Sequence, residues 1–309
     1  MGDAYKKFGY GLFVLKSKNS LFNADFSHEP RQLPDDDGTL YATDKSLKYC
    51  IRRYVHDVKG DGLVFFWRRS SKDEKLKPLS LGENYKAIFG KEAKKGDNKS
   101  TLAKLLTCWD VRIFGATFAE EGCSVSITGP VQLTYGINKT HLNQKYSSQI
   151  LSPFRNSEER VVKGEVKERA QRTIGAENKA LEAHFVFDYI INPNTLPEHD
   201  CLTMNDIAIF KEALCKGASY VNSSAKIGSE SEFMLYLESD SNTTLPLMKD
   251  LVDLKVVGTK TVIDLARISQ MMDMHGIKHM EVYYEPSTVE VLNVPKSAKK
   301  FNIHTMTVN

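Results

Sequence analysis

Apolar residues in this chain fall in short runs separated by polar stretches, and the spacing inside each run indicates what it builds. Tyr10–Lys16 is apolar with polar flanks and predicts a strand, followed by a Ser17–Gly38 loop rich in Asn, Asp, Pro and Ser. Between Asp44 and Val58 the period changes to that of a helix: Leu47, Cys50, Ile51, Tyr54, Val55 and Val58 fall on one stripe. Lys45, Lys48, Arg52 and Arg53 lie opposite that stripe, and Thr43 or Asp44 can supply the N-cap oxygen. Gly62–Arg69 is a predicted strand, Thr101–Thr107 a short helix, and Cys123–Leu133 a strand broken at Thr128-Gly129-Pro130. Further on come a strand over Leu181–Ile191, a helix over Thr203–Cys215 with Thr203 and Asp206 at capping-box spacing, and a strand over Glu232–Glu238. A helix over Thr261–Met274, with Ile263, Ala266, Ile268 and Met271 inward, precedes a last strand, Ile277–Tyr284.

Two stretches resist this reading. Residues 70–100 are Lys-rich, punctuated by Gly and weakly periodic, opening an excursion that ends near 108, and residues 138–180 form a second polar stretch. Treated as insertions, they leave roughly strand, helix, strand, strand, strand, helix, strand. That order predicts a single α+β domain over 1–309, with a ferredoxin-like or RRM-like sheet and helices on one face.

Composition adds a few limits. At 41% hydrophobic and 26% charged residues the chain can bury a core. Apolar runs fall short of the ~18 residues of a membrane helix, and no signal-peptide pattern follows Met1, so no membrane partner is expected. The five cysteines (50, 108, 123, 201, 215) are scattered without a C-x-x-C pair, which argues against a disulfide framework and fits a reducing, cytoplasmic setting. Net charge is only +3, yet residues 1–180 carry 31 Lys/Arg against 22 Asp/Glu, while residues 181–309 carry 11 against 17. A basic half joined to an acidic half points to a polyanion partner, permits head-to-tail contact between copies, and is equally compatible with ordinary surface variation. No Walker loop, G-x-S-x-G elbow or catalytic Cys/His signature occurs, so neither a catalytic residue nor a cofactor is assigned. His275 and His279 have ligand-like spacing, but Gly276 interrupts them and no H-E-x-x-H glutamate is present, so no metal site is expected. Asp61–Trp67 lacks the Lys/Arg-Gly start of an RNP1 strand, and its rings are read as core.

Four segments go further in combination: Asn19-Ser20-Leu21-Phe22-Asn23-Ala24-Asp25 with His28-Glu29-Pro30-Arg31; Gly38-x-x-Tyr41-x-Thr43-Asp44-x-x-Leu47-Lys48-x-x-Ile51-Arg52-x-Tyr54-Val55; Asp110-Val111-Arg112-Ile113-Phe114-Gly115; and Thr128-Gly129-Pro130-Val131-Gln132. In this order the chain resembles the backbone subunit of type I CRISPR Cascade complexes, in the RAMP superfamily, and subtype I-B most. The resemblance spans nearly the whole chain and is strongest over 10–137. It implies a hand-like subunit with an RRM-like palm, fingers at 70–108 and a thumb at 138–180. It implies copies that stack head to tail along one crRNA beside other Cascade subunits, with the target DNA strand paired to the guide. The first loop departs from the family's Asn-Pro-Asn-Gly-Asp run and reads Phe22-Asn23-Ala24-Asp25-Phe26, keeping Asn23 and Asp25 as polar positions.

Under this resemblance the helix 44–58 is the leading RNA-binding element, since Lys45, Lys48 and Arg52, with Arg53 beside them, can follow successive phosphates independently of sequence. Charge alone would read the same face as solvated surface. Asn23 and Arg31 in the first loop and Gln132 after the Gly-Pro bend are placed against the backbone, the alternatives being a surface arginine and an exposed hairpin amide. In the thumb, Lys163, Lys167, Arg169 and Arg172, with Arg160, form a basic excursion that can order on RNA, and Val161, Val162 and Ile174 can wedge against a displaced base. Asp110 and Arg112 are read as a structural pair. A second hypothesis is a metal-dependent ribonuclease using Asp25, as in the related backbone subunits of type III complexes.

Overall fold

The structure is a computed structural model that describes residues 3–71, 75–120, 122–140, 142–155, 160–162, 165–167, 172–196, 202–240 and 244–309, with only the backbone course described between 152 and 174. Its centre is a mixed sheet with the strand order Lys299–Phe301, His279–Tyr284, Ser229–Ser239, Phe8–Ser20, Arg172–Ile191, Gly136–Asn138, Tyr41–Ala42. Neighbours along it are antiparallel except for the edge pair 279–284 with 299–301, which is parallel. Val131–Leu133 also pairs with the C-terminal end of Arg172–Ile191, and Lys145–Arg155 pairs with its N-terminal half.

Phe8–Ser20 occupies the middle of this sheet, and every residue from Gly9 to Leu15 is buried. The unbroken apolar run follows from cover on both faces, since side chains of a strand alternate between them. Phe13 and Leu15 face the helices Asp44–Tyr54 and Met204–Tyr220, joining Leu47, Ile51, Phe210 and Leu214 in the main core. Leu12 and Val14 face the other way into a second core with Val186, Phe233 and Leu235. That second core is closed by Met248, Ile263, Ile268 and Met271 of the C-terminal third. A third cluster, Phe65, Tyr85, Leu105, Val111, Phe118 and Val125, belongs to the segment between the first helix and the Gly129 bend. Burying a side chain such as Ile51 contributes ~1.5–3 kcal/mol, so the apolar stripe is enough to fix which side of the first helix meets the sheet.

The first helix starts where its sequence marks it: Thr43 Oγ1 accepts from the Ser46 N–H. It continues through a π-helical turn at Val55–Lys59 and stops at Gly60. The second helix carries the expected capping box, with Asp206 N–H donating to Thr203 Oγ1 at 3.1 Å and Thr203 N–H donating to Asp206 Oδ2 at 3.0 Å.

Several elements differ from the sequence expectation. Thr261–Met274 is a strand, Lys260–Asp264, followed by a helix, Ala266–His275. Ile263 is buried from the strand, which pairs antiparallel with Asp253–Val257 and parallel with Val289–Leu292. Cys123–Leu133 is two strands in two sheets, since 123–128 pairs with 115–120 while 131–133 joins the central sheet. In place of the predicted Gly62–Arg69 strand, a short 3-10 turn at Asp61–Leu63 is followed by a bend at Phe65-Phe66 and irregular chain. A further helix, Leu81–Phe89, opens on the capping box of Ser80 and Glu83, a signal present in the sequence but not read there.

Candidate nucleic-acid interface

Site geometry begins in the loop after the first strand. Phe22 is buried and anchors that loop, with the Lys226 ammonium 4.3 Å from its ring centroid and hydrogen-bonded to its carbonyl. Asn23 then turns back onto the helix start: its Oδ1 accepts from both the N–H and the hydroxyl of Thr43, each at 2.9 Å. Its carboxamide therefore orients the N-cap of the Asp44–Tyr54 helix, and its Nδ2 is left with only a long contact to Ala24 O at 3.5 Å.

Asp25 builds the next turn. Its Oδ1 accepts from Ser27 N–H at 2.8 Å and Glu29 N–H at 2.9 Å. Those backbone donors, Glu29 first, hold its carboxyl below the ordinary aspartate range. Lys145 closes the loop, through Glu29, onto the ribbon that Lys145–Arg155 forms with the N-terminal half of Arg172–Ile191, and Asn178 Nδ2 of the same ribbon donates to His28 O at 3.1 Å. At the tip, Phe26 is fully exposed. Arg31 leaves the turn with its Nε buried and without a hydrogen-bond partner among the described residues.

The four cations of the first helix separate into two kinds. Lys45 is 79% exposed and reaches the Asp44 carboxylate at 3.3 Å. Arg53 is 43% exposed, pairs with Asp57 and lies 5.4 Å from the Trp67 ring centroid. Lys48 and Arg52 instead turn inward onto the Phe114 ring, at 5.2 and 5.1 Å from its centroid. Burial pushes the Lys48 amine below the usual lysine range, opposed by Asp44 at 3.2 Å. Arg52 Nε donates to Asp110 Oδ2 at 3.0 Å, and Asp110 is wholly buried, accepting also from Phe65 N–H at 2.7 Å and Phe66 N–H at 3.0 Å. The continuous cationic stripe of the helical projection is thus a pair of solvent-reaching cations beside a pair committed to the interior.

Asp110 and Arg112 are each structural but are not a pair. Asp110 takes Arg52, while Arg112 reaches Asp206 at 2.8 Å and the carbonyls of Leu106 and Thr107. The helix Trp109–Phe114 that carries both side chains explains this, because positions two apart point to different sides.

Glycine makes the next crossing possible. Gly115 has φ +83°, and a Cβ on Gly129 would lie 2.3 Å from Gly115 N, so the Gly129-Pro130 bend runs backbone to backbone against the end of the Trp109–Phe114 helix. Gln132, one residue into the next strand, is exposed and donates to Gly129 O at 2.9 Å. Asn23, Lys48, Arg52 and the Gly-Pro bend are therefore linked through the first helix and Phe114, while Lys45, Arg53 and Gln132 remain open to solvent.

Lys163 and Arg169 lie outside the described residues, as do the side chains of Lys167, Arg172, Arg160, Val161, Val162 and Ile174. Among the described residues, no group of three or more His, Cys, Asp or Glu side chains is arranged to hold a metal ion. The same residues contain no helix long and apolar enough to cross a membrane. Of the Asp61–Trp67 rings, Phe65 is buried, and Trp67 instead stacks on His56 at 4.4 Å and Tyr49 at 6.0 Å.

A family model described as "CRISPR-associated protein Cas7" matches residues 7–277. The chain belongs to the Cas7 family. The matched span of this Cas7 chain takes in the central strand, both covering helices, the Gly-Pro bend and most of the C-terminal layer. Among solved structures, a chain of a "CRISPR RNA-guided surveillance complex, pre-nicking" superposes with a TM-score of 0.55 at 12% identity, covering 96% of each chain, which is a likeness of fold. A chain of another "CRISPR RNA-guided surveillance complex" gives 0.46 at 12% identity over 93% of this chain and 95% of that one. No curated protein matches.

Proposed function

We propose that this Cas7 chain is a non-catalytic backbone subunit of a Cascade surveillance complex, of subtype I-B, that binds crRNA through its phosphates. The observation that carries the reading is the family match across 7–277. In this reading the central sheet, in the order 229–239, 8–20, 172–191, 131–138 with two helices on one face, is an RRM-like palm. Residues 70–108 act as fingers and 138–180 as the thumb. Copies polymerise head to tail on the guide, other Cascade subunits cap the filament, and the target DNA strand pairs with the exposed guide bases. Such a subunit works in the cytoplasm.

The sheet face that binds bases in common RRM proteins is unsuited to that role here, because Leu12, Val14, Val186, Phe233 and Leu235 are packed under the C-terminal layer. RNA contact instead falls to Lys45, Arg53, Arg31 and Gln132 at the helix-face margin and, as the family resemblance implies, to the thumb cations Lys163, Lys167, Arg169 and Arg172. Asn23, Lys48 and Arg52 hold that margin in shape and reach RNA only at its edge. Phosphate contact is the chemistry a guide scaffold needs, because it must accept every spacer sequence.

The ribonuclease reading through Asp25 is not favoured, since Asp25 Oδ1 is occupied by the backbone donors of its own turn. Filter binding of a labelled guide transcript, together with incubation of a labelled protospacer RNA with and without Mg²⁺, tests both readings. Salt-sensitive binding of intact RNA supports the scaffold. Metal-dependent cleavage abolished by Asp25→Ala would reverse it.

A further inference from the structure

We infer that Phe26 is a stacking platform for one nucleobase of the bound RNA, an inference that rests on the RNA-binding reading and extends it from phosphates to a base. Phe26 is 100% exposed, although burying a phenylalanine ring is favourable. It also sits on a fixed mount. The chain on either side of it is closed by the Ala24–Pro30 bridge, by Asp25 N–H donating to Glu29 O at 2.9 Å, and by the two donors on Asp25 Oδ1. Lys145 and Asn178 tie the same turn to the ribbon. A ring held out on a braced turn has already lost its backbone freedom, which lowers what ordering would subtract from a contact.

The surroundings select the partner. Apolar protein contacts centre on clustered apolar residues, whereas Phe26 is flanked by Asp25, Ser27 and His28, with Arg31 and Lys145 near enough to act on the Asp25 charge. Arg31 brings a cation whose Nε has no protein partner among the described residues. An aromatic face beside cations is the combination that binds single-stranded nucleic acid: the ring takes a base of any identity, and Arg31 and Lys145, the latter paired with Glu29, bring positive charge near the adjoining phosphate. The tip lies on the same loop as Asn23, which positions the N-cap of the helix bearing Lys45.

The test titrates full-length wild type, F26A, F26L and F26W with guide transcript over a range of salt, alongside a control strand of abasic nucleotides. Phe26→Ala and Phe26→Leu are expected to weaken guide binding roughly 5- to 100-fold without changing the slope of affinity against salt. F26W is expected to bind like wild type and to lose emission when RNA is added. Wild type and F26A should bind the abasic strand equally. Since the ring touches no core, thermal melting of all variants should coincide. Unchanged guide affinity in F26A and F26L, or unquenched emission from RNA-saturated F26W, overturns the inference while leaving the scaffold reading intact. So would F26A that binds RNA normally but no longer self-associates, which would make Phe26 a protein contact. Failure of wild type to bind any guide would instead remove the RNA-binding reading, and the stacking role with it.

Discussion

Arg52→Ala separates the interior half of the cationic helix face from its open half. The Arg52 side chain is 17% exposed and its partner Asp110 is fully buried. Removing one member of a buried pair costs ~3–5 kcal/mol, because the remaining charge is left in a poor solvent. Two features adjust that figure. Asp110 keeps the N–H groups of Phe65 and Phe66, which softens the loss. Against this, Arg52 also lies 5.5 Å from the Phe66 ring and 5.1 Å from the Phe114 ring, and each such contact contributes ~0.5–1 kcal/mol. The net expectation for Arg52→Ala is a loss of about 2–4 kcal/mol in urea unfolding, with the midpoint shifted and the slope preserved. Lys45→Ala, at a side chain 79% exposed, should stay within about 0.5 kcal/mol of wild type. In RNA titrations the order reverses: Lys45→Ala should lower the salt slope by about one contact, whereas folded Arg52→Ala, assayed where it is native by circular dichroism, should keep the wild-type slope. A stable Arg52→Ala with a reduced slope would refute the division of the face into interior and open cations.

Other consequences follow from single sites. Gly129→Ala would place a Cβ 2.3 Å from Gly115 N, so a loss of about 3 kcal/mol or more is expected from this overpacked crossing, read by thermal melting. Burial raises the Asp188 carboxyl to about 6, against its contacts with Lys249. A raised carboxyl means the folded chain holds the proton more tightly than the unfolded one, so stability should fall as pH rises from about 4 to about 6 and stay lower above. Asp188→Asn should flatten that window in pH-resolved urea unfolding, and an unchanged slope would show that Asp188 is not its source. Asp25→Ala, which opens the turn around Ser27 and Glu29, should weaken RNA binding and leave guide length unchanged after incubation with Mg²⁺.

What the sequence disclosed was local. The stripe Leu47, Cys50, Ile51, Tyr54 and Val55 and the Thr203–Asp206 box state their elements within a few residues of themselves and are found as read, but Val58, read as the last member of the stripe, is exposed because the helix changes to a π-helical turn at Val55–Lys59. The family motifs located the loop, helix and bend that the fold links through Phe114. What was missed depends on distant partners. Arg52 is indistinguishable from Lys45 on a helical projection until Asp110, 58 residues later, takes its guanidinium. Ile263 and Ile268 fit a helical period equally well, and only pairing with 253–257 and 289–292 makes the first of them a strand residue. The C-terminal layer over the sheet left its trace in unbroken apolar runs, Gly9–Leu15 and Phe233–Leu237, which strands covered on one face would not show. Phe26 gave no periodic signal, because a lone aromatic in a polar loop becomes informative only once its exposure is known.

The most direct test of the scaffold reading is to co-express the chain with a CRISPR array and its neighbouring subunits, size the particle, and extract and sequence any RNA it holds. A large particle containing guide RNA of one defined length is expected, and that RNA should be lost when Lys45 and Arg53 are neutralised together. A fully assembled particle without RNA, or with RNA of random length and origin, would contradict it.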